Sequence, residues 1–328
     1  DFYAPISVTN WNILFFFHKL VLLIVNNIDD QIVDKWINES FMIGLINLLN
    51  SSDSNEQTSA VILIQQIFET FDNKKQFLFN RLIKLIMLHS EGVNSFVCVP
   101  PALKFFTYYF SQFKGYFNQS FINFFKLVIF QLFATDFVHN YYNILSSLCQ
   151  IFYQRDSSLA IWALKFLLNH WPVSNSAKHT VYLHHIRILS NSIQSNNSDP
   201  TLIRLFEQIG ESLQSPNFKV ANAALQVVGN VNFLFNFAPI FSTIIPILIK
   251  SLDNLQNHWH PEVRELTKNV YQVVSPLAEN LNNNNNINNN GKNHNSFCRR
   301  GRINQVVSDQ SGSTLVSSKN LSPNSILT

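Results

Sequence analysis

Charged residues are scarce in this chain: 13% of 328, where about a quarter is usual in a globular protein. The body is also close to neutral. Residues 1–280 hold 18 Lys/Arg against 19 Asp/Glu, whereas 281–328 hold 5 against 1. Gripping nucleic acid requires a basic face, and such a balance argues against one on the body. Glycine is equally rare, with 8 residues and no Gly-rich phosphate loop, which argues against a nucleotide-binding fold. Cys98, Cys149 and Cys298 are too far apart to suggest a disulfide framework, a usage that suits a reducing compartment. Metal-ligand sets are missing too. Adjacent His184 and His185 would point about 100° apart on a helix, and His258-x-His260 lacks an acid or Cys at a familiar spacing. Glu207 and Glu211, at i and i+4, read as a solvated helix face. No catalytic constellation, metal or cofactor is expected.

Long apolar runs are interrupted. Leu14–Val25 carries His18 and Lys19 and is shorter than the roughly 20 residues that span a bilayer. Val220–Ile249 has no charged residue, yet Asn222, Asn230, Asn232, Asn236, Pro239 and Pro246 make it read as two buried helices joined by a turn.

Apolar residues supply 46% of the chain, including 30 Phe, enough to bury a sizeable core. Their spacing is helical almost throughout. Leu202, Leu205, Ile209 and Leu213 share one helix face, as do Val263, Leu266, Val270 and Val273. Asp199-Pro200, Ser215-Pro216 and, more weakly, His260-Pro261 mark helix starts by pairing a capping position with a Pro that needs no N–H. Helices are expected near 11–26, 31–50, 56–72, 75–89, 98–113, 119–134, 139–153, 157–170, 177–194, 200–214, 216–233, 236–253 and 259–280. Taken in pairs, they form hairpins starting near 11, 56, 98, 139, 177, 216 and 259. That spacing of about 40 residues is the period of HEAT or armadillo repeats. The expected fold is all-α, a helical-repeat solenoid over 1–280 whose extended surface suits protein binding. Phe105, Phe106, Tyr108, Tyr109 and Phe110 read mainly as filler between hairpins, with two or three facing a groove. Residues 281–328, Asn-rich and basic, bury too little to offset ordering entropy and are expected to be a disordered tail. Arg299-Arg300-Gly301-Arg302 reads as a solubilising patch, with nuclear import left open beside a cytoplasmic location; Ser322-Pro323 is a weak phosphoacceptor. The chain begins on Asp1, not Met, so it is expected to be a fragment or the product of a truncated gene model.

Several stretches carry a resemblance. Leu167-Leu168-Asn169-His170-Trp171-Pro172-Val173-Ser174-Asn175-Ser176-Ala177-Lys178 resembles the Leu-x-Lys-x-Trp-Pro-x-Thr-x-Ser-x-Lys stretch of the B-prime (B′) regulatory subunits of protein phosphatase 2A. Leu205–Ile209 and Ser215–Ala221 are similar to that family's Leu-Phe-x-Gln-Ile and Ser-Pro-His-Phe-Gln-Val-Ala, and Ile244-Ile245-Pro246 and His258-Trp259 to its Ile-x-Pro and His-Trp-Asn. The similarity runs from about 11 to 275, with the family's amino-terminal hairpins missing. It implies a HEAT-like solenoid without catalysis of its own. Such a subunit docks on the phosphatase scaffold and catalytic subunits and directs dephosphorylation of phosphoserine and phosphothreonine substrates. The alternative is a HEAT-repeat adaptor without phosphatase association.

The resemblance also implies sites. The family's groove for Leu-x-x-Ile-x-Glu peptides falls here on Gln65, Gln66, Phe68, Lys75, Phe105, Tyr109, Asn118 and Phe121. Its apolar contacts are kept, but the cationic end that would hold the peptide Glu is reduced to Lys75. A groove that has lost charge-assisted bonds should read a less acidic peptide, or not read the usual one at all. The family's acidic loop near the second hairpin is thinned to Glu91. Candidate subunit-docking residues are Trp171, Pro172, Ser174, Asn175, Lys178, Ser215, Pro216, Phe218, Val220, His258 and Trp259. For Trp171 and Trp259, plugging gaps between hairpins is an equal reading, because buried aromatics serve cores as well as interfaces.

Overall fold

The computed structural model describes residues 11–28, 30–193 and 200–290, and among these there are helices and turns but no β-strand. It divides into two units, Asp1–Leu277 and Ala278–Thr328. In the first unit, α1 (Trp11–Asn27), α2 (Asp30–Trp36) and α3 (Glu39–Asn47, followed by a 3-10 turn) make the first hairpin. The second is α4 (Ser54–Thr70) and α5 (Asp72–Ser90); the third is α6 (Val99–Gln112) with α7 (Gln119–Phe124) and its continuation to Ala134. Next come α8 (Tyr142–Arg155) with α9 (Ser158–Asn169), then α10 (Ser176–Ser190) with α11 (Pro200–Leu213). The sixth holds α12 (Phe218–Val228), short α13 (Val231–Phe235) and α14 (Phe241–Leu255), and α15 (Pro261–Asn290) follows.

The hairpins stack in two rows. First helices pack in succession, α1 on α4, α4 on α6, α6 on α8, α8 on α10 and α10 on α12. In the other row α3 meets α5, α9 meets α11, and α11 meets α14. Each hairpin thus touches mainly its neighbours, the arrangement of a repeat array. The repeat period is written in the hydrogen bonds. Asn73 donates to Asp34, Gln57 to Val97, Arg155 to Gly115, Lys178 to Ala134, Asn222 to Glu262 and Asn254 to Gln214, all between partners 39 to 44 residues apart.

Phenylalanine fills the seams. The Phe152 ring lies 4.9 Å from Phe110 and 4.7 Å from Phe125, and all three are fully buried. Burial of such a side chain stabilises by about 2–3 kcal/mol, and ring pairing adds about 1 kcal/mol.

Several boundaries differ from the spacing-based expectation, each for a local reason. The helix expected over 31–50 breaks at Ile37–Asn38, where Asn38 Oδ1 accepts from Phe41 N at 2.9 Å and starts α3. The helix expected over 119–134 passes from α7 through a π stretch (Phe125–Ile129) into a 3-10 stretch (Phe130–Ala134). Changed winding accompanies burial of adjacent residues, Phe124 with Phe125 and Ile129 with Phe130, which one 3.6-residue stripe does not place together. The start expected at Ser215-Pro216 moves to Asn217, whose Oδ1 caps Lys219 N at 3.0 Å, while Ser215 Oγ accepts from Asn217 N at 3.2 Å. Pro200 and Pro261 do open α11 and α15, and Leu202, Leu205, Ile209 and Leu213 are buried as expected. On α15, Val263 and Val270 are buried, but Val274 takes the place expected of Val273.

Ala238–Leu255 is, among the described residues, the stretch long and apolar enough to cross a membrane by length and composition, and 39% of it is buried. Within it, Ile244, Ile245, Leu248, Leu252 and Leu255 form the buried side of α14, which packs on α11. The helix expected over 236–253 begins at Phe241, after a 3-10 turn holding Pro239.

The boundary placed at 280 also differs. Helical backbone continues over 281–290, where the sequence had suggested a disordered tail. Once a helix is nucleated, each further residue adds a hydrogen bond at little cost, so a polar Asn run can prolong it. Residues 291–328 lie outside the described residues, with Cys298, the Arg299–Arg302 patch and Ser322-Pro323; so does Asp199.

Candidate functional site

Two surfaces of the first unit gather the residues singled out from the sequence. The first is a groove between α4 and α6. Asp53 caps α4 by accepting from Asn55 N at 2.8 Å, and α6 starts from a 3-10 turn with Pro100 and Pro101 in its first turn. Helical spacing then aligns Gln65, Phe68 and Glu69 on one helix against Phe105, Tyr108, Tyr109 and Gln112 on the other. These side chains, with Lys75 and Phe113, line a cavity of about 280 Å³. The Phe68 ring meets Phe105 at 5.2 Å and Tyr109 at 5.4 Å, both edge-on.

Of the residues expected in the groove, Gln65, Phe68, Lys75, Phe105 and Tyr109 line it. Three do not. Gln66 donates to Thr70 Oγ1 at 3.3 Å, Asn118 caps α7 by accepting from Phe121 N at 2.9 Å, and Phe121 is buried among Phe110, Phe113 and Phe117. Tyr108, one of the five clustered aromatics of which two or three were expected to face a groove, lines it too, whereas Glu69, Gln112 and Phe113 were missed. Positions 108, 109 and 112 follow from Phe105 by three, four and seven, so the helical repeat held that signal; the Phe113 position, at the helix end, did not.

Two charged side chains line the groove, the expected Lys75 and Glu69. Lys75 Nζ pairs with Asp72 Oδ1 and lies 5.8 Å from the centre of the Phe68 ring. Glu69 accepts a hydrogen bond from the Tyr108 hydroxyl, and this bond raises the phenol pKa above the ordinary value. No Lys, Arg or His nitrogen lies within 4.0 Å of the Glu69 carboxylate among the described residues.

The second surface is an edge built by loops between successive hairpins. Trp171 Nε1 donates to His179 Nε2 at 3.1 Å, and the same nitrogen lies 2.9 Å from Ser212 Oγ on α11. The Trp171 ring sits edge-on to His179 and Tyr182, half-buried, and Pro172 is buried. Burial pushes the His179 pKa down to about 4, so at neutral pH its Nε2 is free to accept. Asn175 Oδ1 caps Lys178 N at 3.0 Å while its Nδ2 donates to Asp136 O at 3.4 Å. Lys178, buried, donates to Ala134 O at 2.5 Å and lies 3.9 Å from the Asp136 carboxylate.

Farther along, Trp259 Nε1 donates to Pro216 O at 3.1 Å, and Phe218 stacks on His260 at 4.4 Å. His258 Nδ1 accepts from His260 N at 3.1 Å, and Val220 is buried. Trp171, Pro172, Asn175, Lys178 and Val220 are therefore held between loops or hairpins, and Ser215 is engaged in a local turn. Ser174, Pro216 and Trp259 face solvent, Trp259 with 63% of its surface exposed. Val173, not singled out from sequence, adjoins Ser174 in the chain and is 98% exposed.

A cavity of about 430 Å³ opens between two other such loops, with His89 and Asn94 on one side and Gln131, Thr135 and Asp136 on the other. Glu91 lines it as well, so this region holds a second acid, Asp136, 45 residues farther on, which the chain order concealed. Cys98 and Cys149 are buried free thiols, and burial pushes Cys98 up to about 11. His185, fully buried, lies 2.9 Å from the Tyr153 hydroxyl, and among the described residues no three His, Cys, Asp or Glu side chains cluster as metal ligands.

The chain matches known proteins over most of its length. The family profile described as "Protein phosphatase 2A regulatory B subunit (B56 family)" covers residues 3–300. A rice (Oryza sativa subsp. japonica) protein, named as the B′ kappa isoform of the 57 kDa regulatory subunits of serine/threonine protein phosphatase 2A, is 25% identical over 280 residues, 84% of this chain and 55% of the rice protein. An Arabidopsis thaliana protein, named as the B′ delta isoform and a 55 kDa regulatory subunit of the same phosphatase, is 26% identical over 280 residues, 83% of this chain and 58% of its own length. The chain thus spans little more than half the length of these relatives. With the profile matching nearly all of the described helices, the chain belongs to the B56 family of protein phosphatase 2A regulatory B subunits.

Proposed function

We propose that the chain is a non-catalytic regulatory subunit that docks on the scaffold and catalytic subunits of protein phosphatase 2A. In that role it directs dephosphorylation of phosphoserine and phosphothreonine proteins, in the cytoplasm. The observation that carries the reading is Trp259. It is 63% exposed, hydrogen-bonded to the Pro216 carbonyl, and stands on the loop edge that also bears the family-like Trp171–Lys178 and Ser215–Val220 stretches. A large aromatic tied by a hydrogen bond at a surface is the kind of residue that anchors interfaces. Family membership and the regulatory-subunit names of the relatives support the same reading.

The test is retention of purified scaffold–catalytic dimer on the immobilised chain. Near-stoichiometric capture, lost in Trp259→Ala, is expected. Absence of capture overturns the docking reading and leaves a HEAT-repeat adaptor.

A further inference from the structure

We infer that a cavity between the first two hairpins binds the phosphate of a phosphorylated serine or threonine in a protein segment. Helix α3 meets α5, and at their seam lies a cavity of about 190 Å³ whose polar lining is Arg81, Lys84, Asn47, Asn50 and Asn94. Arg81 and Lys84 stand one turn apart on α5, so their charges repel unless an anion comes between them. Neither makes an ion pair within 4.0 Å among the described residues, and no described acid lines the cavity. The acids on the flanking elements are engaged or turned elsewhere. Asp34 pairs with Lys74, Asp53 caps α4, Asp72 pairs with Lys75, Glu91 lines the larger loop cavity, and Glu39, one turn before Ile43, lies outside the lining. In a chain so poor in charge, two cations share one cavity without a counter-ion.

Chemistry narrows the occupant. Two cations match the roughly two negative charges of a phosphate monoester at neutral pH, whereas a carboxylate leaves one of them unbalanced. The Arg81 guanidinium lies 5.1 Å from the centre of the Phe77 ring, which supports one face of it and leaves its N–H edge for phosphate oxygens. The three Asn amides add neutral donors; Asn94 Nδ2 gives one N–H to the Leu85 carbonyl at 3.4 Å and keeps a second. Behind them the floor is apolar, with Ile46 and Leu85 buried and Ile43 and Leu88 half-buried, so little water screens the charges from that side. The volume is below the roughly 300–1,000 Å³ of sites for whole small molecules, which suits a phosphoryl group on a side chain better than a nucleotide. The inference rests on the regulatory-subunit reading only in taking the carrier to be a phosphatase substrate, held by one phosphate while another is removed.

The test passes a synthetic peptide library, with phosphothreonine fixed at the centre of randomised flanks, over the immobilised full chain. Enriched sequences are then titrated as labelled peptides carrying phosphothreonine, Thr or Glu at the centre. The phosphothreonine form should bind about tenfold tighter than the Thr form, with Glu between them, and the difference should shrink as salt is raised. Arg81→Gln and Lys84→Gln should each weaken the phosphopeptide about fivefold and leave the Thr form unchanged. Lys104→Gln, an exposed lysine on α6 outside the cavity, should change neither. Lys84 is exposed and Arg81 half-buried, so these variants keep the fold, which circular dichroism verifies. Two further probes separate the sources of phosphate. Inorganic phosphate should displace the peptide only weakly, and phosphatidylcholine vesicles carrying a phosphatidylinositol phosphate should not capture the chain. Equal binding of the phosphothreonine and Thr forms, no enrichment, loss in Lys104→Gln equal to that in Lys84→Gln, or binding confined to free phosphate or to the vesicles overturns the inference. Dimer capture by the same preparations reports separately on the docking reading: capture without phosphopeptide binding sinks only the inference, and the converse sinks only the docking.

Discussion

Lowering the pH from about 7.5 to about 5 is expected to weaken the folded chain, and the source is an imidazole sealed between α8 and α10. His185 is fully buried against Phe133, with ring centres 4.4 Å apart; the Tyr153 hydroxyl lies at 2.9 Å from Nε2, and Nδ1 has no hydrogen-bond partner. Protonation would place a charge and an unpaired N–H in an apolar shell, and burial accordingly drives its pKa from 6.5 down to about 3. The unfolded chain takes up this proton below the ordinary histidine pKa, whereas the folded chain refuses it. Stability is thus full above about pH 6.5, falls as the pH drops, and stops falling only near the folded value. For those two pKa values the loss reaches about 2 kcal/mol at about pH 5. His179, lowered to about 4 but partly solvated, adds about 1 kcal/mol after allowance for screening. The sum is a large share of a typical stability of about 5–15 kcal/mol. Urea denaturation followed by circular dichroism across this range measures it. His185→Gln keeps a neutral group near Tyr153 and should remove more than half of the pH dependence. A midpoint that stays level or rises on acidification refutes the reasoning, as does a His185→Gln variant with an undiminished slope.

Lys178→Met should cost about 1–3 kcal/mol in thermal denaturation, because the Ala134 carbonyl loses its ammonium donor where the start of α10 meets the end of the third hairpin. Gly92→Ala should cost about 1–2 kcal/mol: Gly92 has φ +79 with no atom near the added methyl, so the penalty is backbone strain alone. A much larger loss would mean that the loop packs more tightly than its geometry shows. Trp259→Ala should lower stability by at most about 1.5 kcal/mol, the worth of one hydrogen bond, while weakening scaffold–catalytic capture by about 2 kcal/mol or more. Equal effects on both would assign Trp259 to gap filling instead.

Much of the candidate site was legible because its parts are local. The step from Phe105 to Tyr109 is one helical turn, and Asn175 and Asn217 are caps three and two residues from the N–H groups they accept. Gln66 misled because it adjoins Gln65 in sequence yet points about 100° away on the helix, and Asn118 because its side chain is engaged in capping. Glu69 escaped notice because its meaning depends on Tyr108, 39 residues away, and the neutralisation of Lys75 depends on which way Asp72 turns.

Hydrophobic spacing and capping act over a few residues, so the order of amino acids was enough to dictate an all-helical chain, repeating about every 40 residues, with capped starts and buried stripes. Tertiary packing alone decided that Glu69 faces the aromatic groove, that Asp136 joins Glu91 across a cavity, and that Trp171 is tied through His179 toward Ser212. Those partners sit on different helices or loops, and which side chains meet depends on how whole helices stack, a choice made by summed burial along each seam and not by any single residue.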